Sequence, residues 1–245
     1  MLILGALLVG LSLGLVGGGG SMLCIPLLIY VGGYPIQLAI KMTLLVVLLS
    51  SVVGLINYTR QGLVEFRKVL FPAMSGCLGA FYGARLVYLV SQEFLISLFS
   101  ILLIFISFIL FFSEKDFIKK LGHSAGLYKL TIACVFIGFL TGLLGLSGGF
   151  LLVPSLIVFF SFGMSQAVAT SLLMVVANSS AAILSHGSSM FKLYEMAGPG
   201  MWVFVLMPII GALIGSQFNA RVNAKKLKKV LACFIFILAL LMLFK

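Results

Sequence analysis

Two glycine-rich strings set in apolar sequence repeat each other 128 positions apart. The first is Gly14-Leu15-Val16-Gly17-Gly18-Gly19-Gly20-Ser21-Met22-Leu23-Cys24-Ile25-Pro26. The second is Gly142-Leu143-Leu144-Gly145-Leu146-Ser147-Gly148-Gly149-Phe150-Leu151-Leu152-Val153-Pro154. Runs of glycine weaken a helix, because each residue loses the most backbone freedom on folding. Irregular backbone is tolerated at membrane depth only where protein or a water-filled cavity surrounds it. The strings therefore demand a folded membrane interior, and they mark a site as well as a fold.

The rest of the chain agrees. Of 245 residues, 62% are hydrophobic and 9% charged, against about 45–50% and about 25% in soluble domains. The net charge of +11 raises nucleic acid as a partner. The basic residues, however, fall in short loops between apolar segments, as membrane topology requires, and nucleic acid is set aside. Met1-Leu2-Ile3-Leu4 has no basic n-region and no cleavage site follows, so the first segment is expected to be retained. Cys24, Cys77, Cys134 and Cys233 lie in apolar segments without metal-ligand spacing. They are expected to be small packing residues, with no metal and no cofactor.

Apolar stretches fall near 2–16, 21–33, 37–57, 69–90 and 94–112, then near 127–144, 149–162, 165–186, 196–219 and 229–244. The last five retrace the first five. Pro26 matches Pro154, Ala39 matches Ala167, and Leu44-Leu45 matches Leu172-Leu173 at one offset; Gly79 and Gly83 match Gly211 and Gly215 after a small insertion. The expected organisation is one membrane domain: a first repeat over 1–112, a cytoplasmic connecting loop over 113–126, and a second repeat over 127–245.

Crossing the hydrocarbon takes about 20 helical residues. The stretches flanking each glycine string are shorter. Each pair is expected to form a broken or re-entrant hairpin that turns at its glycine tip, followed by three transmembrane helices. A pair of thin but full crossings is the alternative. The loops 58–68, 113–126 and 220–229 are rich in Lys and Arg, whereas 91–93 and 187–195 are not. The first three are expected in the cytoplasm, with both termini outside, in a multi-pass inner (plasma) membrane protein. Equivalent loops then face opposite sides, so the repeats are inverted. Inverted repeats recur in secondary transporters, with the substrate near the midplane at the repeat interface.

Each tip leads into a helix start, whose first amides lack internal partners and sit at the positive end of the helix dipole. Such termini bind anions, and glycine lets a ligand approach the backbone. If the tips meet near mid-membrane, Gly18, Gly19, Gly20, Ser21, Ser147, Gly148 and Gly149 would hold a small anion between them. Thr43 and its counterpart Ser171, and Asn178, the counterpart of Ser50, would line the cavity; Thr170, Ser179 and Ser180 add to the second set. Lys41 and Arg85 would form an anion-attracting mouth. The acids Glu65, Glu93, Glu114, Asp116 and Glu195 all lie in loops or at their edges, so a proton relay through a buried carboxylate is not supported. There is no GxxxxGK[ST] loop for an ATP-driven pump.

The strings resemble those of the TauE/SafE (sulfite exporter, TSUP) family. The resemblance rests on Gly17-Gly18-Gly19-Gly20 through Pro26-Leu27-Leu28, on Gly142 through Pro154, and on Ala167-Val168-Ala169-Thr170-Ser171-Leu172. It implies transport of small sulfur-containing anions such as sulfite or sulfonates. Lys41-Met42-Thr43 departs from the small Ala-Thr-Ser run of the second repeat, so the two halves of the site are not expected to be identical. The expected partners are a small anion and the bilayer, with pairing of two copies left open. Two other classes stand beside the transporter. Gly145-Leu146-Ser147-Gly148 matches the GxSG string of rhomboid intramembrane proteases, with His186 as a conceivable base. A non-transporting membrane assembly factor is the other.

Overall fold

The computed structural model describes residues 2–16, 19–112, 127–146, 148–190, 200–218 and 224–243. Among them are ten α-helices and no strand. The first five are α1 (Leu2–Val16), α2 (Cys24–Tyr30), α3 (Ile36–Arg60), α4 (Phe66–Leu86) and α5 (Gln92–Phe112). The second five are α6 (Leu127–Leu144), α7 (Gly149–Phe160), α8 (Met164–His186), α9 (Gly200–Phe218) and α10 (Ala224–Leu243). A 3₁₀ turn, Gly19–Leu23, leads into α2, and another, Gly187–Met190, follows α8. The connecting loop 113–126 lies outside the described residues.

Helices suit hydrocarbon because every backbone polar group is satisfied within its own segment. Three described helices, α3, α4 and α8, are long and apolar enough to cross a membrane. The faces of α4 show how the protein meets lipid. Leu70, Met74 and Leu78 recur every four residues and are exposed, whereas Gly76, Gly79, Ala80, Gly83 and Ala84 are buried. Large apolar residues face outward and small ones inward, since lipid tails give no hydrophobic drive for helices to associate and close backbone packing must do it.

The small face of α4 packs on α6. A Cβ on Gly138 would run into the Gly76 carbonyl, one on Gly79 into that of Val135, and one on Gly142 into that of Ala80. The backbones of α4 and α6 therefore touch along several turns. The same joint recurs between α1 and α9, where a Cβ on Gly10 would strike the Pro208 carbonyl and one on Gly211 that of Leu7. The remaining contacts follow one scheme: α4 on α8 and α9 on α3, with α3 crossing α8 and α5 against α10. Exchanging the first five helices for the last five leaves this scheme unchanged.

Two sets of contacts define the ends of the bundle. At one, the Glu65 amide donates to Thr170 Oγ1 at 3.3 Å, and Lys68 pairs with Glu65 at 3.5 Å. The α3–α4 turn and the start of α8 thus share the end that carries the basic loop 58–68. At the other, Lys41 near the start of α3, Tyr88 just past α4 and His186 at the end of α8 come together. The hairpin arms follow. A Cβ on Gly5, near the start of α1, would meet Leu27, midway along α2 and about as far beyond the glycine tip as Gly5 lies before it, so these arms lie side by side and run oppositely. They open at the Lys41 end, where α2 leads through residues 31–35 into α3. The pair α6 and α7 opens at the other end, where α7 leads through residues 161–163 into α8.

Candidate functional site

The tips are irregular, as their glycines require. Gly145 and Gly148 have φ of +64° and +62°, a left-handed conformation that disfavours residues with a Cβ. Gly148 precedes α7 without any side-chain cap, and Gly149 is buried. In the first tip Gly19 and Gly20 enter the 3₁₀ turn with Ser21, which is fully buried. The predicted site residues Gly18 and Ser147 lie outside the described residues.

The expectation that the tips meet near the midplane does not hold. Gly145 sits against the backbone of Ile40, 3.1 Å from where its Cβ would be. At the other hairpin, the Tyr58 hydroxyl donates to the Gly14 carbonyl at 3.4 Å. Ile40 lies near the start of α3 and Tyr58 near its end, about 27 Å apart along the axis at about 1.5 Å per residue. The reach of one tyrosine recovers only part of that distance. Each hairpin passes the middle, and its tip sits toward the far end of the bundle. The physical reason is the glycine joint: α1 and α6 are held along α9 and α4 for several turns rather than stopping halfway.

What occupies the middle is a group of polar side chains on the crossing helices α3 and α8. The two run antiparallel, since α3 begins where α8 ends, and a Cβ on Gly54 would lie 3.1 Å from Leu172 Cδ1. Counting back from that contact, Ser50 is level with Val176 and Asn178 with Leu48. Ser50, Ser51, Asn178 and Ser179 then fall within about 6 Å of one another along the axis. All four are buried, Asn178 with 0% exposure. None of their side-chain oxygens, nor the Asn178 amide nitrogen, has a hydrogen-bond partner among the described residues. Asn178 fills the notch left by Gly76 of α4: a Cβ there would stand 2.6 Å from Oδ1 and 3.2 Å from Nδ2. Each buried polar group left unpaired costs about 1–3 kcal/mol, so four at one level is a concentrated expense for a membrane protein.

Asn178 is the predicted cavity-lining residue in this group, and Ser50 and Ser179 were named beside it as its counterpart and neighbour. The pairing of Ser50 with Asn178 extends to Ser51 and Ser179 at the same offset. Ser51 was missed because a serine in a helix so often bonds back to its own carbonyls. Ser171 does so, donating to Val168 O at 2.8 Å. Thr43 is buried beside the Cys24 thiol, nearer the Lys41 end than the polar group.

Lys41 and Arg85 are not equivalent. Arg85, in the last turn of α4, is exposed and stacks its guanidinium over Phe81, 4.7 Å from the ring centre. Lys41 is only 8% exposed. Its ammonium lies 5.3 Å from the centre of the Tyr88 ring, and the Tyr88 hydroxyl is 2.9 Å from His186 Nδ1. His186, the conceivable base of the protease alternative, is thus engaged with Tyr88. Among the described residues no group of His, Cys, Asp and Glu is arranged to hold a metal.

Apolar helices with lipid-facing stripes, close-packed small residues and two glycine-tipped hairpins define an all-α integral membrane protein. The family model described as Sulfite exporter TauE/SafE matches residues 2–242, and the chain belongs to that family. A protein of Xylella fastidiosa named "Probable membrane transporter protein" is 30% identical over 223 residues, covering 89% of this chain and 84% of its own. The Bacillus subtilis protein YunE, named likewise, is 26% identical over 94% of this chain and 90% of its own. A similarly named protein of Methanocaldococcus jannaschii is 22% identical over 99% of this chain and 94% of its own. No solved structure matches. The chain's family is thus one whose relatives are named as probable membrane transporters.

Proposed function

We propose that the protein is a secondary transporter of small anions, sulfur-containing ones such as sulfite or sulfonates in particular. It works by alternating access between two inverted repeats. The observation that carries this reading is the group formed by Ser50, Ser51, Asn178 and Ser179. Four unpaired polar side chains at the level where α3 crosses α8 are poorly explained by packing, because apolar residues of similar size would pack without the desolvation penalty. A polar solute passing that level would supply their missing partners. Hydroxyl and amide donors suit an oxyanion, and no carboxylate among the described residues lies at that level to repel one.

The exchange-invariant packing scheme supports the inverted duplication, and so do the hairpins opening at opposite ends. In that arrangement the substrate rests on α3 and α8, and each hairpin tip forms part of the seal toward one side. Rocking one half against the other would open one tip and close the other. The name of the family model supports the choice of sulfur oxyanions as first substrates to try.

Purified protein in liposomes should take up radiolabelled sulfite or a sulfonate such as taurine, and uptake should be lost in Asn178→Ala. A panel of sulfur, phosphorus and carboxylic anions that all fail to move would sink the proposal.

A further inference from the structure

The first repeat carries a buried cation at a position where the second has an alanine. Lys41 corresponds to Ala169 at the common offset, so the pseudo-symmetry of the fold does not require it. It sits one residue beyond Ile40, against whose backbone the tip of the second hairpin rests at Gly145. Tyr88 and His186 close over it from α4 and α8. Among the described residues Lys41 has no ion pair; the acid nearest in chain position at this end is Glu93, in the first turn of α5. A lysine that is about nine-tenths buried without a carboxylate is expensive, and the Tyr88 ring offsets only part of that cost.

We propose that Lys41 is the charged centre of an oxyanion-binding station at the end of the bundle opposite the basic loop 58–68. Tyr88 and His186 position it, and the second hairpin tip forms its inner wall. The station binds a small tetrahedral or pyramidal oxyanion, such as sulfite, sulfate or phosphate, by charge. The polar group on α3 and α8, farther inward, then receives the anion through neutral donors. The asymmetry follows: the equivalent place at the other hairpin tip has Ala169 and holds no such station. The proposal deepens the transport reading but does not depend on it, because a static binding site would remain if no solute crossed.

The test is anion-dependent thermal stability of the protein purified in a neutral detergent. Ligand that binds only the native state raises the melting temperature, by a few degrees for a ligand at about a hundred times its Kd. Sulfite or sulfate should raise the Tm of the wild type, and glycerol at equal concentration should not. Lys41→Met should abolish the shift, whereas Arg67→Gln, which also removes one positive charge but at the exposed start of α4, should keep it. Retention of the shift in Lys41→Met would overturn the station. So would a Lys41→Met protein that is less stable yet responds to anions as the wild type does, for the lysine would then serve only the carbonyl ends of α4 and α8.

If Lys41→Met does not fold, mass spectrometry of acetic-anhydride-treated wild type replaces it: sulfite should protect Lys41 from acetylation, and absence of protection overturns the proposal. A stability shift or protection seen only with phosphatidylglycerol micelles, and not with the free anion, would assign the lysine to a lipid headgroup and also overturn it. Asn178→Ala separates the two readings. It should lose transport and keep the anion-induced shift; if it loses both, the station is not independent of the central polar group.

Discussion

At the scale of single residues, stability and function should separate at Asn178. Its amide makes no hydrogen bond in the described structure, so truncation to alanine breaks none. Relief of an unpaired buried amide, about 1–3 kcal/mol, opposes a cavity penalty of similar size. The melting temperature of Asn178→Ala should therefore stay within a few degrees of the wild type. Transport should fall about 10- to 100-fold, because a hydrogen bond to a charged partner is worth about 1.5–3 kcal/mol. A large drop in Tm with transport intact would make Asn178 a structural glue residue instead. Gly76 offers a second handle on the same amide. In Gly76→Ala the new methyl would press on Asn178 Oδ1, so transport should fall, and the shorter side chain of Asn178→Ser in the same protein should restore part of it. Additive effects in that double mutant would argue against the contact. These residues were unequally legible. Asn178 stood out because an amide among apolar residues needs partners. Ser50 and Ser51 carried the weaker signal of matching it and Ser179 at a fixed offset. Nothing in the local sequence told that Ser171 bonds its own helix while Ser179 does not.

At the scale of helices, the glycine joints hold the hairpins. Gly138 on α6 and Gly10 on α1 occupy equivalent places, each against a carbonyl of the opposing helix. Backbone cannot retreat as a side chain can, so Gly138→Ala and Gly10→Ala should each destabilise the protein by about 1–3 kcal/mol. Gly163→Ala is the control. It has negative φ, and the nearest atom to its Cβ would be 3.8 Å away, so it should cost no more than about 1 kcal/mol, the loss of a favoured N-cap residue. Denaturation in detergent micelles measures all three; equal effects would contradict the close joint. The short arms and the irregular glycine-rich segments between them were readable in the sequence. Their depth was not. Arm length bounds how far a tip can reach, but the level it attains depends on which turns of α6 and α4 interlock. Small residues at Gly138, Gly142, Gly76, Gly79 and Gly83 permit several registers on paper. The folded protein settles on the one that carries Gly145 to Ile40.

At the scale of the whole molecule, topology is the claim most open to direct test. Inversion was inferred from loop charge alone, and the contacts independently group the turns. The α3–α4 turn lies with the start of α8, through Glu65 and Thr170, while Tyr88 lies with the end of α8, through His186. If the basic loops are cytoplasmic, residue 61 faces the cytoplasm and residue 91 the outside. In a protein whose four native cysteines are replaced by alanine or serine, Ser91→Cys should react with a membrane-impermeant maleimide on intact cells. Gln61→Cys should react only after permeabilisation. Labelling of both on intact cells, or the reverse pattern, would remove the orientation and with it the assignment of Lys41 to the outer side. The outcome also bears on direction. An anion station on the outer side, facing a cytoplasmic end that carries Arg60, Arg67 and Lys68, would attract the same class of solute at both entrances. The fold would then set no preferred direction by charge alone, and net flux would follow the gradients across the membrane. Proteoliposomes with both orientations blocked in turn by maleimide at residue 61 or 91 should show exchange from either side at comparable rates. A strong preference for one side would require an asymmetry beyond Lys41.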